Sequence, residues 1–387
     1  MSQPADIPIP PDLSRRYGGS SAGRDWIASL PRLVRHCLDQ WQLELDLAPG
    51  ALPWNSHGAI VVPVRLRATA GAGGGTGSGT GIGAGAGASE AAGGAAHQAT
   101  ALKIAYPHDE ALLEPQALAL WNGRGAVRLL ASDAGAGALL LERLDAARSL
   151  QDAPVDEAVR VWGALVRQLS LVPDGRPEWQ DFDHVAARAE QWSDELPESW
   201  ERLGRPFPRW LLEAALEVCQ TRGAVGRRSG RDVLVHTDLH YLNILARPGS
   251  AEPQDDGGEP VGDWAAIDPQ PMIGEAEFAV APLLWNRISE LSRADPERGL
   301  RGRCRDFSMA AGLDSEVARQ WCLAREVENA LWYAATPRHE GDLARSLWVA
   351  STLAGRTLPD LPRPHALPEP GGGTAQRAVD RSQIGRE

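Results

Sequence analysis

The polar residues best suited to chemistry lie in one short loop and at the end of a later strand. Residues 233–245 read Val-Leu-Val-His-Thr-Asp-Leu-His-Tyr-Leu-Asn-Ile-Leu, so two apolar runs flank a polar loop that carries Asp238 and Asn243. An aspartate in such a loop can accept or orient the proton of an attacking hydroxyl, and an asparagine five residues later can turn back to hold Mg²⁺. A second carboxylate, Asp268, ends the apolar run Trp264-Ala-Ala-Ile and suits the same metal ion.

A lone lysine completes the set. Lys103 is the only lysine among 39 basic residues, and it lies in the alternating, strand-like run Ala-Thr-Ala-Leu-Lys-Ile-Ala-Tyr at 99–106. Its compact ammonium suits a phosphate pocket in a way that a guanidinium does not. Chance survival of one codon in an Arg-rich sequence is the alternative. The order Lys, Asp, Asn, Asp on these predicted strands and loop is the order found in kinases, so the sequence predicts phosphoryl transfer from ATP.

Other chemistries fit less well. His236 and His240 are four residues apart, but the Glu and the helix of a zinc-binding H-E-x-x-H motif are missing, so we expect His236 to brace the loop by hydrogen bonds. Residues 69–98 are rich in Gly, yet they contain neither G-x-G-x-x-G nor a P-loop motif. This segment is therefore predicted to be a flexible insertion.

The elements around these residues change character along the chain. The first part is strand-rich, and a helix at Asp109–Trp121 follows the Lys103 strand. Later apolar residues recur at spacings of three and four, which predicts long helices at 156–171, 183–203, 207–222 and 314–335. Further strands are predicted at 58–67, where Pro63 indicates an edge or a bulge, and at 126–130, 137–144 and within 232–268. We expect a loose N-terminus at 1–22, an N-lobe at 23–143, a C-lobe at 144–360 and a disordered tail at 361–387.

Composition limits the function classes. The formal net charge is −12 and the pI is about 5.3, which argues against a nucleic-acid binder and allows a small cationic, hydroxylated substrate. No apolar run is long enough for a membrane helix, so no membrane association is expected. Four scattered cysteines without a C-x-x-C pair favour a reducing cytoplasm. The sequence gives no indication of oligomeric state.

Several stretches resemble a known family. The loop at 234–245, followed by Ile267-Asp-Pro, resembles the aminoglycoside phosphotransferase superfamily. The stretches at 117–130, 137–144 and 267–275 are similar to the streptomycin 6-kinase, or aminoglycoside/hydroxyurea resistance kinase, group. The resemblance implies an α+β, bilobal protein-kinase-like fold with a small antiparallel-sheet N-lobe and a larger, mainly helical C-lobe. It also implies ATP and Mg²⁺ as co-substrates and an antibiotic hydroxyl as the acceptor.

The resemblance also implies roles for single residues. Lys103 would hold the ATP phosphates, and the backbone of Glu142 to Leu144 would meet adenine. Glu114 would pair with Lys103, but Pro115 directly after it disfavours helical geometry there, which leaves Glu110 as the alternative. Asp238 would position the acceptor hydroxyl. Asn243 and Asp268 would coordinate Mg²⁺.

The sequence also departs from the family pattern. Thr237 replaces the usual Gly of the loop, Leu242 replaces an acidic residue, and Ala279 stands where an Asp is usual. A kinase for another small amino-alcohol or sugar metabolite is one alternative. A nucleotide-binding pseudokinase or scaffold is another, but such a protein should have lost one of the four polar groups, and none is missing.

Overall fold

The computed structural model describes residues 7–56, 58–67, 98–107, 109–223, 232–249 and 263–367, without the side chains of residues 109–111. The chain divides into two compact units, one drawn from residues 1–106 and 131–143 and the other from 107–130 and 144–387. Residues 107–130, within the range assigned above to the N-lobe, thus group with the second unit. The Gly-rich insertion, apart from Gln98, and the predicted tail beyond residue 367 lie outside the described residues.

The first unit is a sheet with helices before it. Its strands pair in the order β1-β3-β4-β6-β5, and β2 pairs with β3; the pairs β1–β3, β2–β3, β3–β4 and β4–β6 are antiparallel. The elements are α1 (Pro11–Tyr17), α2 (Ser21–Gln40), β1 (Leu43–Leu45), β2 (Trp54–Asn55), β3 (Ala59–Leu66), β4 (Ala99–Ala105), β5 (Leu129–Asp133), which enters this unit at residue 131, and β6 (Ala138–Glu142).

Pro63 lies inside this sheet, so the prediction of an edge strand or a bulge was wrong. β3 runs between β1 and β4, and Pro63 is in register with Ala101. The Pro63 carbonyl accepts from the Asp46 N–H on the β1 side (2.9 Å), beyond the last paired residue of β1. The nitrogen of a strand residue points to the same side as its carbonyl, so the missing N–H falls on the β1 side, past the paired residues of β1, and the ladder between β3 and β4 stays intact.

The prediction of a loose N-terminus was wrong for residues 7–22, which contain α1 and the start of α2. α1 begins with Pro11 and buries Leu13 and Tyr17, and α2 begins at Ser21, whose N-cap Ser20 accepts from the Gly23 N–H (3.0 Å). Tyr17 also packs edge-on against Trp26. Burial of these apolar side chains explains why a Pro- and Ser-rich segment is helical here.

The second unit is mainly helical, with short strands in its middle. Its elements are α3 (Asp109–Trp121), β7 (Asp145–Ser149), α4 (Val155–Leu169), α5 (Val185–Arg202), α6 (Arg209–Arg222), β8 (Val233–His236), β9 (Ile244–Ala246), β10 (Trp264–Ala266), β11 (Pro271–Gly274), α7 (Ala281–Trp285), α8 (Pro296–Ala311), α9 (Ser315–Ala335) and α10 (Glu340–Leu353). The long helices predicted from periodicity are confirmed to within two residues at each end.

Local sequence sets the ends of the helices around the site. Asp314 caps α9 by accepting from the N–H groups of Glu316 and Val317. Gly312 ends α8 in a left-handed conformation (φ 73°) that glycine adopts without strain.

The strand predicted at 126–130 was misplaced, because β5 begins only at Leu129 and Ala126 instead bridges to Ala266.

α4 and α8 pack closely through a small residue. A Cβ built on Gly163 of α4 would come within 2.5 Å of the Ala310 backbone in α8. α4 carries Trp162, which is fully buried and faces the residues after β8.

Within the described ranges, no helix has both the length and the hydropathy required to cross a bilayer.

Candidate active site

Two strand ladders fix the ends of the polar loop. β8 pairs antiparallel with β11, with His236 opposite Pro271, and β9 pairs antiparallel with β10, with Ile244 opposite Ala266. The loop between β8 and β9 is therefore short and held at both ends. Asp238 and Asn243 are both buried, with 6% and 8% of their surfaces exposed.

Asn243 folds back onto Asp238. Its side-chain nitrogen donates to the Asp238 carbonyl (2.9 Å) and lies 3.4 Å from the Asp238 Oδ2. The loop thus uses the amide nitrogen, and the amide oxygen is the remaining atom that can bind a ligand. Two turn bonds, from the His240 N–H to the Asp238 carbonyl (2.9 Å) and from the Asn243 N–H to the His240 carbonyl (3.0 Å), keep this arrangement compact.

His236 braces the loop, which confirms the expectation from sequence. Its Nε2 bonds to the Ile267 carbonyl (2.9 Å), and its Nδ1 accepts from the Asp238 N–H (3.3 Å). One ring nitrogen donates and the other accepts, so the neutral Nε2–H tautomer satisfies both bonds. Burial lowers the pKa of His236 to about 4, because the charged ring would lose its solvation there.

His240 lies beside the carboxylate of Asp238. Its Nε2 is 3.7 Å from Asp238 Oδ2, and its Nδ1 accepts from the Leu242 N–H (3.2 Å). The second bond fixes the ring so that Nε2 faces the acid. The aspartate therefore has an imidazole nitrogen on one side and the Asn243 amide on the other.

Asp268 sits in an unusual backbone conformation between β10 and β11. Its φ is +52°, in the left-handed region, and Pro269 follows it. The flanking residues connect it to the loop: the Ile267 N–H donates to the Asn243 carbonyl (2.9 Å), and the Gln270 carbonyl accepts from the Thr237 N–H (3.1 Å). The structure thus brings Asp238, Asn243 and the turn that carries Asp268 together within the second unit.

The other predicted residues fall in different places. Lys103 belongs to the first unit, where it is buried in β4 in register with Val61 and Leu139. Glu142 is half-buried at the end of β6, and Leu144 is buried. The nucleotide roles of these residues remain predictions.

Glu114 lies inside α3, so the expectation that Pro115 disfavours helical geometry there was wrong. The helix runs on through Pro115 because its later turns are anchored. Trp121 is fully buried and donates its Nε1–H to the Leu169 carbonyl (2.8 Å). Glu114 itself is buried, with 4% of its surface exposed. The side chain of the alternative, Glu110, lies outside the described residues.

Sequence reasoning missed Arg325. This α9 residue is buried, donates to the Thr237 carbonyl and stacks its guanidinium over the Phe278 ring at 5.1 Å. A signal was present: Arg325, Glu326 and Asn329 are polar residues in a helix that is buried on nearly all sides from 321 to 333. Buried charges of this kind are rare unless they have partners.

Comparison with known proteins identifies the family of the chain. Residues 88–336 match the model of a family described as aminoglycoside/hydroxyurea antibiotic resistance kinase. The chain belongs to this family. It is 33% identical to a streptomycin 6-kinase of Streptomyces griseus, over 86% of this chain and 92% of that protein. It is 34% identical to a hydroxyurea phosphotransferase of Kitasatospora aureofaciens, over 91% and 87% of the two chains.

A solved structure shows the fold. An ethanolamine kinase from Plasmodium vivax aligns over 91% of this chain and 94% of its own, with a TM-score of 0.50 and 12% sequence identity. The chain therefore has an α+β, protein-kinase-like fold. Membership of the family makes it a kinase that uses ATP.

Proposed function

We propose that this kinase transfers the γ-phosphoryl group of ATP to a hydroxyl of an aminoglycoside such as streptomycin and thereby inactivates it. The observation that carries the proposal is the Asp238–Asn243 loop, in which the Oδ2 atom of the buried Asp238 lies 3.4 Å from the side-chain nitrogen of the buried Asn243. The identity to a streptomycin 6-kinase supports the acceptor class. A net charge of −12 favours capture of a cationic antibiotic.

Asp238 orients the acceptor in this proposal. Its carboxylate would accept a hydrogen bond from the attacking hydroxyl and hold that oxygen in line with the γ-phosphoryl group. The bond from its N–H to His236 and the bond from Asn243 to its carbonyl fix the backbone that carries the acid. Positioning of this kind accounts for much of the rate in phosphoryl transfer, because the protein itself performs little covalent chemistry.

Asn243 and Asp268 fit Mg²⁺ by the chemistry of their donor atoms. An amide oxygen and a carboxylate are hard ligands, and Mg²⁺ is commonly held by one or two protein groups together with phosphates and water. When bound, Mg²⁺ would neutralise charge on the transferred phosphates.

The nucleotide contacts are proposed from the family resemblance. Lys103 would bind the ATP phosphates with Glu114 as its partner, and the backbone of Glu142 to Leu144 would meet adenine. The burial of Lys103 and Glu114, at 6% and 4% exposure, supports roles that need partners, since Lys and Glu are rarely buried without one.

Hydroxyurea is a second candidate acceptor. The identity to the hydroxyurea phosphotransferase is 34% over 91% of this chain, which is as high as that to the streptomycin kinase. Both molecules offer a hydroxyl beside nitrogen-rich groups, so each is an acceptor of the class that the proposed reaction requires.

An acceptor panel tests the function. The purified chain is incubated with ATP and Mg²⁺ and with streptomycin, hydroxyurea or ethanolamine, and both ADP release and the mass of the acceptor are measured. We expect ADP release coupled to one added phosphoryl group on streptomycin. Transfer to hydroxyurea alone would identify the second candidate. ADP release that no acceptor stimulates would refute both and favour the pseudokinase alternative.

A further inference from the structure

Asp268 is held in a conformation that its own sequence disfavours. Its φ of +52° lies in the left-handed region, which residues other than glycine rarely adopt. Pro269 adds a second constraint, because a proline biases the residue before it toward extended backbone. Such conformations persist only when the surroundings fix them from several directions.

Residues on both sides of Asp268 supply that fixation. On the N-terminal side, the Ile267 N–H donates to the Asn243 carbonyl (2.9 Å), and its carbonyl bonds to His236 Nε2 (2.9 Å). On the C-terminal side, the Gln270 carbonyl accepts two bonds from Thr237, one from its N–H (3.1 Å) and one from its Oγ1–H (2.8 Å). The shorter of these two bonds comes from a side chain.

Thr237 is itself held firmly. It is 4% exposed, and its carbonyl accepts from the Arg325 guanidinium in α9. All three polar groups of Thr237 are thus engaged, two with Gln270 and one with Arg325. A glycine at this position would keep the two backbone bonds and lose the hydroxyl bond.

We propose that Thr237 is a positioning residue of the phosphoryl-transfer site, whose hydroxyl clamps the Gln270 carbonyl and so keeps the Asp268 carboxylate in place for the metal–nucleotide complex. The inference rests on the proposed function, in which Asp268 is a metal ligand. It extends that function by naming a side chain that touches neither substrate nor metal. Residues that support metal ligands in this way typically contribute 10- to 100-fold in metal affinity or activity.

The test compares three variants. Thr237→Val keeps the shape and removes only the hydroxyl, while Thr237→Ser keeps the hydroxyl. The matched control is Thr352→Val in α10, because Thr352 is buried like Thr237 and its hydroxyl also makes a hydrogen bond, to Thr357 (3.0 Å). Calorimetry measures the affinity for the non-hydrolysable analogue AMPPNP with and without Mg²⁺. Steady-state kinetics measures kcat and KM.

In Thr237→Val, we expect the factor by which Mg²⁺ strengthens AMPPNP binding to be about tenfold smaller than in the wild type. We also expect kcat to be about tenfold lower, with little change in the KM of the acceptor. Thr237→Ser should restore both, and Thr352→Val should lower only the melting temperature. If Thr237→Val does not fold, Thr237→Ala takes its place in the same comparison.

Wild-type Mg²⁺ dependence and wild-type kcat in a folded hydroxyl-free variant would overturn the proposal. The proposal would also fail if Mg²⁺ did not strengthen AMPPNP binding to the wild-type chain, because the clamp would then have no ligand to position. A wild-type chain that binds Mg-AMPPNP but phosphorylates no acceptor would refute the proposed function only, and the binding measurement would still decide the role of Thr237.

Discussion

His236 makes the stability of the second unit depend on pH. Burial lowers its pKa to about 4, from an ordinary value near 6.5. Above pH 6.5 the ring is neutral in both the folded and the unfolded state. As pH falls through 6.5, the unfolded chain binds a proton that the folded chain does not bind, so stability is lost progressively until the folded-state pKa is reached. At about 1.4 kcal/mol per pKa unit, the full loss is about 3 kcal/mol.

The substitution His236→Gln isolates this contribution. Glutamine does not titrate, and its amide can still donate to the Ile267 carbonyl. The free energy of unfolding is measured by urea denaturation with tryptophan fluorescence, from about pH 7.5 to about pH 4.5. The wild type should lose stability relative to the variant by about 1 kcal/mol per pH unit below pH 6.5.

His365→Gln is the matched control, because the Nε2 of His365 also bonds to a backbone carbonyl, that of Leu291 (2.7 Å). A parallel pH dependence of wild type and His236→Gln would refute the reasoning. So would a histidine NMR titration in which His236 protonates near pH 6.5.

Two further substitutions test the packing around the site. Gly163→Ala should destabilise the protein by about 1–3 kcal/mol, because the added Cβ would lie 2.5 Å from the Ala310 backbone. Gly175→Ala, where a Cβ meets nothing within 4 Å, is the control. Equal melting temperatures of the two variants would contradict the close packing of α4 on α8. Trp162→Phe removes the Nε1–H that bonds to the Leu239 carbonyl (3.1 Å), so it should cost about 1–3 kcal/mol in urea unfolding, and a cost near zero would mean that this buried carbonyl finds another donor.

The parts of the site that are local in sequence could be predicted. Asp238 and Asn243 lie between two apolar runs, so the sequence alone places both residues in one short polar loop. The long helices follow from periodicity, since a helix such as α5 buries apolar residues at intervals of three and four.

The parts that depend on distant residues could not be predicted. Arg325 reaches the loop from a helix that begins at Ser315, and no local pattern indicates which loop it contacts. Pro63 and Pro115 each violate a local preference, and tertiary context decides both. The Pro63 nitrogen points away from the β4 ladder, past the paired residues of β1, and Pro115 lies in a helix anchored by Trp121. The left-handed Asp268 is likewise fixed by its neighbours in space.

In the proposed function, Asp238 positions an acceptor hydroxyl for phosphoryl transfer from ATP. The most direct test compares phosphorylated streptomycin formed per unit time by the wild type and by Asp238→Asn, which keeps the shape of the side chain and removes its charge. We predict a loss of about 10²- to 10⁴-fold in kcat with unchanged Mg-AMPPNP affinity and melting temperature. Equal rates of product formation by the two proteins would contradict the account.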